Sequence, residues 1–149
     1  MQNETITIDI LKEKTKNLSI LYVEDEELLR VTTVSLLSKL FLNVDLGVDG
    51  KDGLNKYLNN KYDIVITDIS MPNMNGLELI NEIYNKNNNQ EIIIMTAHTE
   101  QGYIDEINNN SIGIIYKPME IDQMIKILSN SIDRLNMCIS AEESPNFVK

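Results

Sequence analysis

The chain is poor in the residue types that several common functions require. It has a single cysteine, Cys138, so no internal disulfide can form, and no neighbouring cysteine or histidine cluster offers a site for a softer metal. Basic residues are scarce: 13 Lys and Arg stand against 23 Asp and Glu, a formal charge of −10, with no basic stripe to grip nucleic acid phosphates. Apolar runs such as Ile92-Met95 fall far short of the about 20 residues a membrane helix needs. Neither a P-loop nor a G-x-G-x-x-G is present, which counts against a nucleotide-binding domain. The start, MQNETITIDILKEKTKNLS, lacks the basic and then apolar regions of a secretory signal, so the expected location is cytoplasmic. No internal repeat is visible.

What is there is an ordinary globular composition, 42% apolar and 24% charged, in 149 residues, enough for one hydrophobic core and not for two. From Leu18 to Met137 short apolar runs alternate with helix-period segments, the pattern of βα repeats around a parallel sheet. Strands are expected at Ile20-Val23, Val44-Leu46, Ile64-Thr67, Ile92-Met95 and Ile112-Tyr116. They read as nearly continuous apolar runs because helices cover both faces. Five helices are expected at Glu27-Phe41, Gly50-Asn59, Gly76-Asn85, Glu100-Asn109 and Ile121-Asn136, the fourth being the least periodic and the most mobile. The fold class is therefore α/β, a doubly wound five-stranded parallel sheet in the order 2-1-3-4-5. Residues 1–17 form a short helix or a disordered arm, 18–137 the domain, and 138–149 a tail or the start of a linker.

Polar groups stand where the apolar runs stop: Glu24-Asp25, Asp68, Thr96 and Lys117-Pro118. In a parallel sheet these ends gather at one edge, where open α/β folds bind ligands. Three carboxylates brought together repel unless a cation intervenes, and an all-oxygen set on open loops suits Mg²⁺. With that ion and the Lys117 ammonium present, Asp68 can act as a nucleophile toward a phosphoryl group whose oxygens they neutralise, and the Thr96 hydroxyl can donate to one of those oxygens. Each group also has an ordinary structural reading. Asp and Thr at strand ends serve as turn formers and caps, and the acidic run Glu24-Glu27 complements a helix dipole. Lys117 alone reads as a surface lysine.

The groups in order, with their local motifs, resemble the receiver domain of two-component response regulators. The motifs are Leu21-Tyr22-Val23-Glu24-Asp25-Glu26, Ile66-Thr67-Asp68-Ile69-Ser70-Met71-Pro72-Asn73-Met74-Asn75-Gly76, Thr96-Ala97 and Lys117-Pro118. The resemblance implies a flavodoxin-like receiver fold in which Asp68 accepts phosphate from a phosphohistidine on a sensor histidine kinase or phosphotransfer protein. Glu24, through water, with Asp25, Asp68 and the backbone carbonyl of Ser70 would hold Mg²⁺. Lys117 would pair with the carboxylate and then with the phosphoryl group, Thr96 would swing inward, and the bond before Pro118 would be cis. Ser70 and His98 would tune the phosphoryl lifetime. The partners implied are a kinase and a downstream effector, with a homodimer through the face of the fourth helix, fifth strand and fifth helix.

The chain departs from the family pattern at two places. Glu24 stands where Asp is commoner, and Ile114 stands where an aromatic switch is usual. Tyr116 lies two residues on, about 6–7 Å along the same face of a strand, and with Ile114 it is the expected reporter of Thr96. An enzyme of the phosphatase or phosphotransferase class is the rival reading, although haloacid-dehalogenase-like hydrolases would carry an acid where this chain has Ser70. A phosphate-independent interaction module is the other. The sequence shows no output segment, so a stand-alone receiver and a piece of a larger regulator are both open.

Overall fold

The structure is a computed structural model that describes residues 7–97 and 112–143, with the backbone alone for 138–143. Five strands, β1 (Ser19–Val23), β2 (Asn43–Gly47), β3 (Ile64–Asp68), β4 (Glu91–Thr96) and β5 (Gly113–Tyr116), pair in parallel in the order β2-β1-β3-β4-β5. This is the doubly wound order expected from the alternation of apolar runs and helical segments. β3, at the centre, is buried along its whole length, which is why its sequence is apolar without a period of two.

Helices flank the sheet on both sides: α1 (Ile8–Thr15), α2 (Glu27–Leu40), α3 (Gly50–Asn59), α4 (Gly76–Lys86) and α5 (Ile121–Glu143). The helix expected at Glu100-Asn109 lies outside the described residues. α1, α2 and α5 cover one face, where Leu11, Leu37, Leu40, Met124, Leu128 and Ile132 meet Ile20, Tyr22, Ile64, Ile66, Ile93, Met95 and Ile115. α3 and α4 cover the other, where Tyr57, Leu79, Ile80 and Ile83 meet Leu21, Val23, Val65, Ile92 and Ile94.

Caps decide where several helices start. Asp49 accepts from the Asp52 amide at 2.8 Å, and Asn75 with Glu78 forms a reciprocal capping box. Thr7 opens α1 by accepting from the Ile10 amide at 3.3 Å.

The segment before β1 forms α1. It buries Leu11 and Thr15 against α2 and α5, and the Thr15 hydroxyl donates to the Leu40 carbonyl at 2.5 Å, supplying a partner to the carboxyl end of α2. α5 runs past the expected end at Asn136 to Glu143. The apolar spacing carries on through Ile132, Leu135 and Ile139, the added residues also include Ala141 and two glutamates, which are good helix formers, and Pro145 comes only later.

Candidate functional site

The carboxyl ends of β1, β3, β4 and β5 converge as the strand order requires. Glu24 extends the β1–β2 ladder by one residue, its amide donating to the Gly47 carbonyl at 3.0 Å, and this turns its side chain inward until it is fully buried. Asp25 follows on the exposed side of the loop. Asp68 ends β3 with 6% of its surface exposed, and Gly76 packs so tightly against it that a Cβ there would collide with the Asp68 carbonyl oxygen. Oxygens of Glu24, Asp25 and Asp68 lie within 4.8 Å of one another.

One ammonium serves two of these carboxylates. Lys117 Nζ is 3.0 Å from Glu24 Oε1 and 3.0 Å from Asp68 Oδ2, while the Ile69 amide donates to Asp68 Oδ1 at 2.8 Å. The second Glu24 oxygen accepts from the Glu26 amide at 3.3 Å. Glu24 Oε1 has charge beside it but no hydrogen bond, so a buried carboxylate oxygen is left with an acceptor position unfilled.

Burial first, and then the neighbouring Asp68 charge, push the Glu24 carboxyl up to about 7, with Lys117 working in the opposite direction. Burial works against the charged form of Lys117, yet its pairing with the Glu24 and Asp68 carboxylates outweighs this and holds the ammonium above its ordinary value. The site thus carries more negative charge than its single ammonium can balance.

Thr96 ends β4 and is fully buried, with its hydroxyl donating to the Ala97 carbonyl at 3.4 Å. Its own carbonyl accepts from the Lys117 amide at 2.8 Å, which joins the ends of β4 and β5. Register pairs Thr96 with Tyr116 and Ile94 with Ile114, so the two residues named as reporters lie directly beside β4, both half-buried. The Lys117–Pro118 peptide is cis. Ser70 is exposed, two residues past Asp68. His98 lies outside the described residues.

The residues fit a divalent cation. The donor set is all oxygen, three carboxylates converge, and one buried oxygen among them lacks a hydrogen bond. Glu24, Asp25 and Asp68 could hold Mg²⁺.

A residue missed in the sequence completes the loop. Arg30 Nη1 donates to the carbonyl of Glu24 at 2.9 Å and to that of Asp25 at 3.3 Å. Helical side chains lean toward the amino end of their helix, so an arginine in the second turn of α2 reaches back over the acidic loop. That geometry was the available signal, but a lone arginine on a helix reads first as a solvated charge.

Comparison with known proteins agrees with this geometry. The family model for the response regulator receiver domain matches residues 20–129. Response regulator ArlR of Staphylococcus saprophyticus is 37% identical over 110 residues, covering 71% of this chain and 48% of its own length. ArlR of Staphylococcus aureus is 34% identical over 107 residues with the same coverage. The chain spans about half the length of the curated relatives it matches. Among solved structures, a two component transcriptional regulator AraC from Clostridium phytofermentans is similar with a TM-score of 0.74 and 26% identity, covering 81% of this chain and 97% of that one. A response regulator receiver domain protein from Clostridium thermocellum has a TM-score of 0.72 at 24% identity over 81% of this chain and 98% of that one, a likeness of fold.

Proposed function

The chain belongs to the response regulator receiver domain family, and from that premise we propose that it is a signalling switch in which Asp68 accepts a phosphoryl group from a phosphohistidine on a sensor histidine kinase or phosphotransfer protein. The observation that carries the assignment is the shared ammonium: Lys117 Nζ lies 3.0 Å from Asp68 and 3.0 Å from Glu24, beside Asp25. An Asp68 oxygen attacks phosphorus, the P–O bond forms as the P–N bond to the donor imidazole breaks, and the imidazole leaves with the electron pair. The amide of Ile69 keeps the other Asp68 oxygen in place during the attack. Lys117 stays with the phosphoryl oxygens as the carboxylate charge is consumed, and Thr96 turns its hydroxyl to one of them.

Mg²⁺ held by Glu24, Asp25, Asp68 and the Ser70 carbonyl would supply neutralising charge to the transferring group. The chain catalyses its own phosphorylation and dephosphorylation and turns over no separate substrate. Ser70 and His98 set how long the phosphoryl group lasts.

The pairing of Thr96 with Tyr116 supports a route outward along β5, in which inward movement of Thr96 is felt by Tyr116 and Ile114. The altered face, which includes β5 and α5, meets a downstream effector or a second copy of the chain. The expected location is the cytoplasm; among the described residues no helix is long and apolar enough to cross a membrane.

The test is incubation with MgCl₂ and acetyl phosphate, followed by intact-mass measurement. The parent is expected to gain one phosphoryl group and Asp68→Asn none. A folded parent that stays unmodified refutes the assignment, and sustained release of phosphate from small esters would point to a phosphatase instead.

A further inference from the structure

We propose that Arg30 is a positioning residue for the metal-holding loop, acting on the backbone of Glu24 and Asp25 and not on their charges; the proposal rests on the Mg²⁺ reading of the acidic cluster. Adjacent carboxylates on a short loop repel, and the contacts of Lys117 and the Glu26 amide hold the Glu24 side chain without fixing the loop that carries Asp25. The backbone of the loop is held as well. The Glu24 amide is tied to the Gly47 carbonyl at 3.0 Å, and the Glu24 and Asp25 carbonyls are both tied to Arg30 Nη1, at 2.9 and 3.3 Å. Consecutive carbonyls drawn to one guanidinium fix the peptide plane between them, and with it the directions in which the two side chains leave the loop.

The charge of Arg30 is not used in the ordinary way. Four acidic residues, Glu24 to Glu27, precede it, yet among the described residues Arg30 forms no ion pair. Its guanidinium is committed to carbonyl oxygens. A planar group with fixed donors can hold two acceptors in a defined relation, whereas a lysine ammonium would hold them as a point charge on a flexible stem.

Two effects of Arg30 on a bound cation have opposite signs, and this makes the proposal testable. As a positive charge it repels Mg²⁺, so its removal would tighten binding if charge were all that mattered. As a clamp it orients two ligand residues, so its removal weakens binding, and loss of supporting contacts around a metal site commonly lowers affinity about 10–100-fold.

The experiment is calorimetric titration of the unphosphorylated full chain with MgCl₂ at constant ionic strength, for the parent, Arg30→Gln and Arg30→Lys, with thermal melts of the metal-free proteins alongside. About tenfold weaker binding by Arg30→Gln, with a metal-free melting temperature close to the parent's, is the result expected. Arg30→Lys should also bind more weakly although its charge is retained. Equal or tighter binding by Arg30→Gln overturns the proposal. If Arg30→Gln does not fold, the Arg30→Lys titration decides: weaker binding supports the clamp and unchanged binding refutes it. A parent that binds no Mg²⁺ removes the metal reading and this inference with it, an outcome distinct from a parent that binds while the variants match it.

Discussion

At the amino-terminal end of the sheet polar groups meet complementary partners, whereas at the carboxyl end three carboxylates converge and one ammonium pairs with two of them. Tyr57 donates to Gln90 Oε1 at 2.8 Å, Gln90 donates to the Asp63 carbonyl at 3.1 Å, and Asp63 accepts from the Ser19 amide at 2.8 Å. Arg134 pairs with Glu91, and Thr15 with Leu40. At the other end Glu24 keeps a buried oxygen without a hydrogen bond, and its carboxyl is held far from its ordinary value. One end is arranged for the resting fold. The other concentrates negative charge, which the proposed cation would offset.

Removing the shared ammonium should break that contrast most severely. Lys117→Met leaves two carboxylates facing each other with little access to water and is expected to cost about 3 kcal/mol in the metal-free protein. Urea unfolding with EDTA measures the loss, and saturating Mg²⁺ should recover part of it. A loss no larger than that of an exposed lysine would mean that the pair is incidental.

The next effect concerns pH. The folded-state value of Glu24, about 7, lies above its ordinary value near 4.5, so the folded protein binds the proton more tightly than the unfolded one. Its contribution is fully present below about pH 4.5 and is lost as pH rises toward about 7, a loss of about 3 kcal/mol at most. Metal-free unfolding midpoints measured across this window should fall for the parent. Glu24→Gln should flatten that slope, while a change at the opposite end should leave it unaltered.

The smallest effect sharpens the comparison from the other side. Thr15→Val removes the donor to the Leu40 carbonyl inside a buried contact and should cost about 1–2 kcal/mol at every pH, with no change in Mg²⁺ affinity. A shift in metal binding would show that the two ends are coupled through α2.

The sequence was most legible where one requirement dominated. The strands of a doubly covered sheet are apolar over most of their length, so Ile64-Thr67 and Ile92-Met95 stood out, each within one residue of the observed strand ends, and the helix expected at Gly50-Asn59 is found there. The polar residues at the strand ends could be named because parallel topology carries them to one edge. Less legible were features set by contacts that leave no period. α5 continues beyond Asn136 to Glu143, and α1 is held by little more than Leu11 and Thr15. Arg30 escaped because its partners are backbone carbonyls, which have no side-chain signature. The lysine was named, but its equal sharing between Glu24 and Asp68 is a matter of distance that only the fold supplies.

The most direct test of the account is to locate the phosphoryl group chemically. The parent, treated with Mg²⁺ and acetyl phosphate, is reduced with borohydride, which converts an aspartyl phosphate to homoserine, and the peptides are mapped by mass spectrometry. Conversion at Asp68 alone, abolished by EDTA, is the result predicted. Conversion at another carboxylate, or none in a protein shown to be folded, would contradict the central claim.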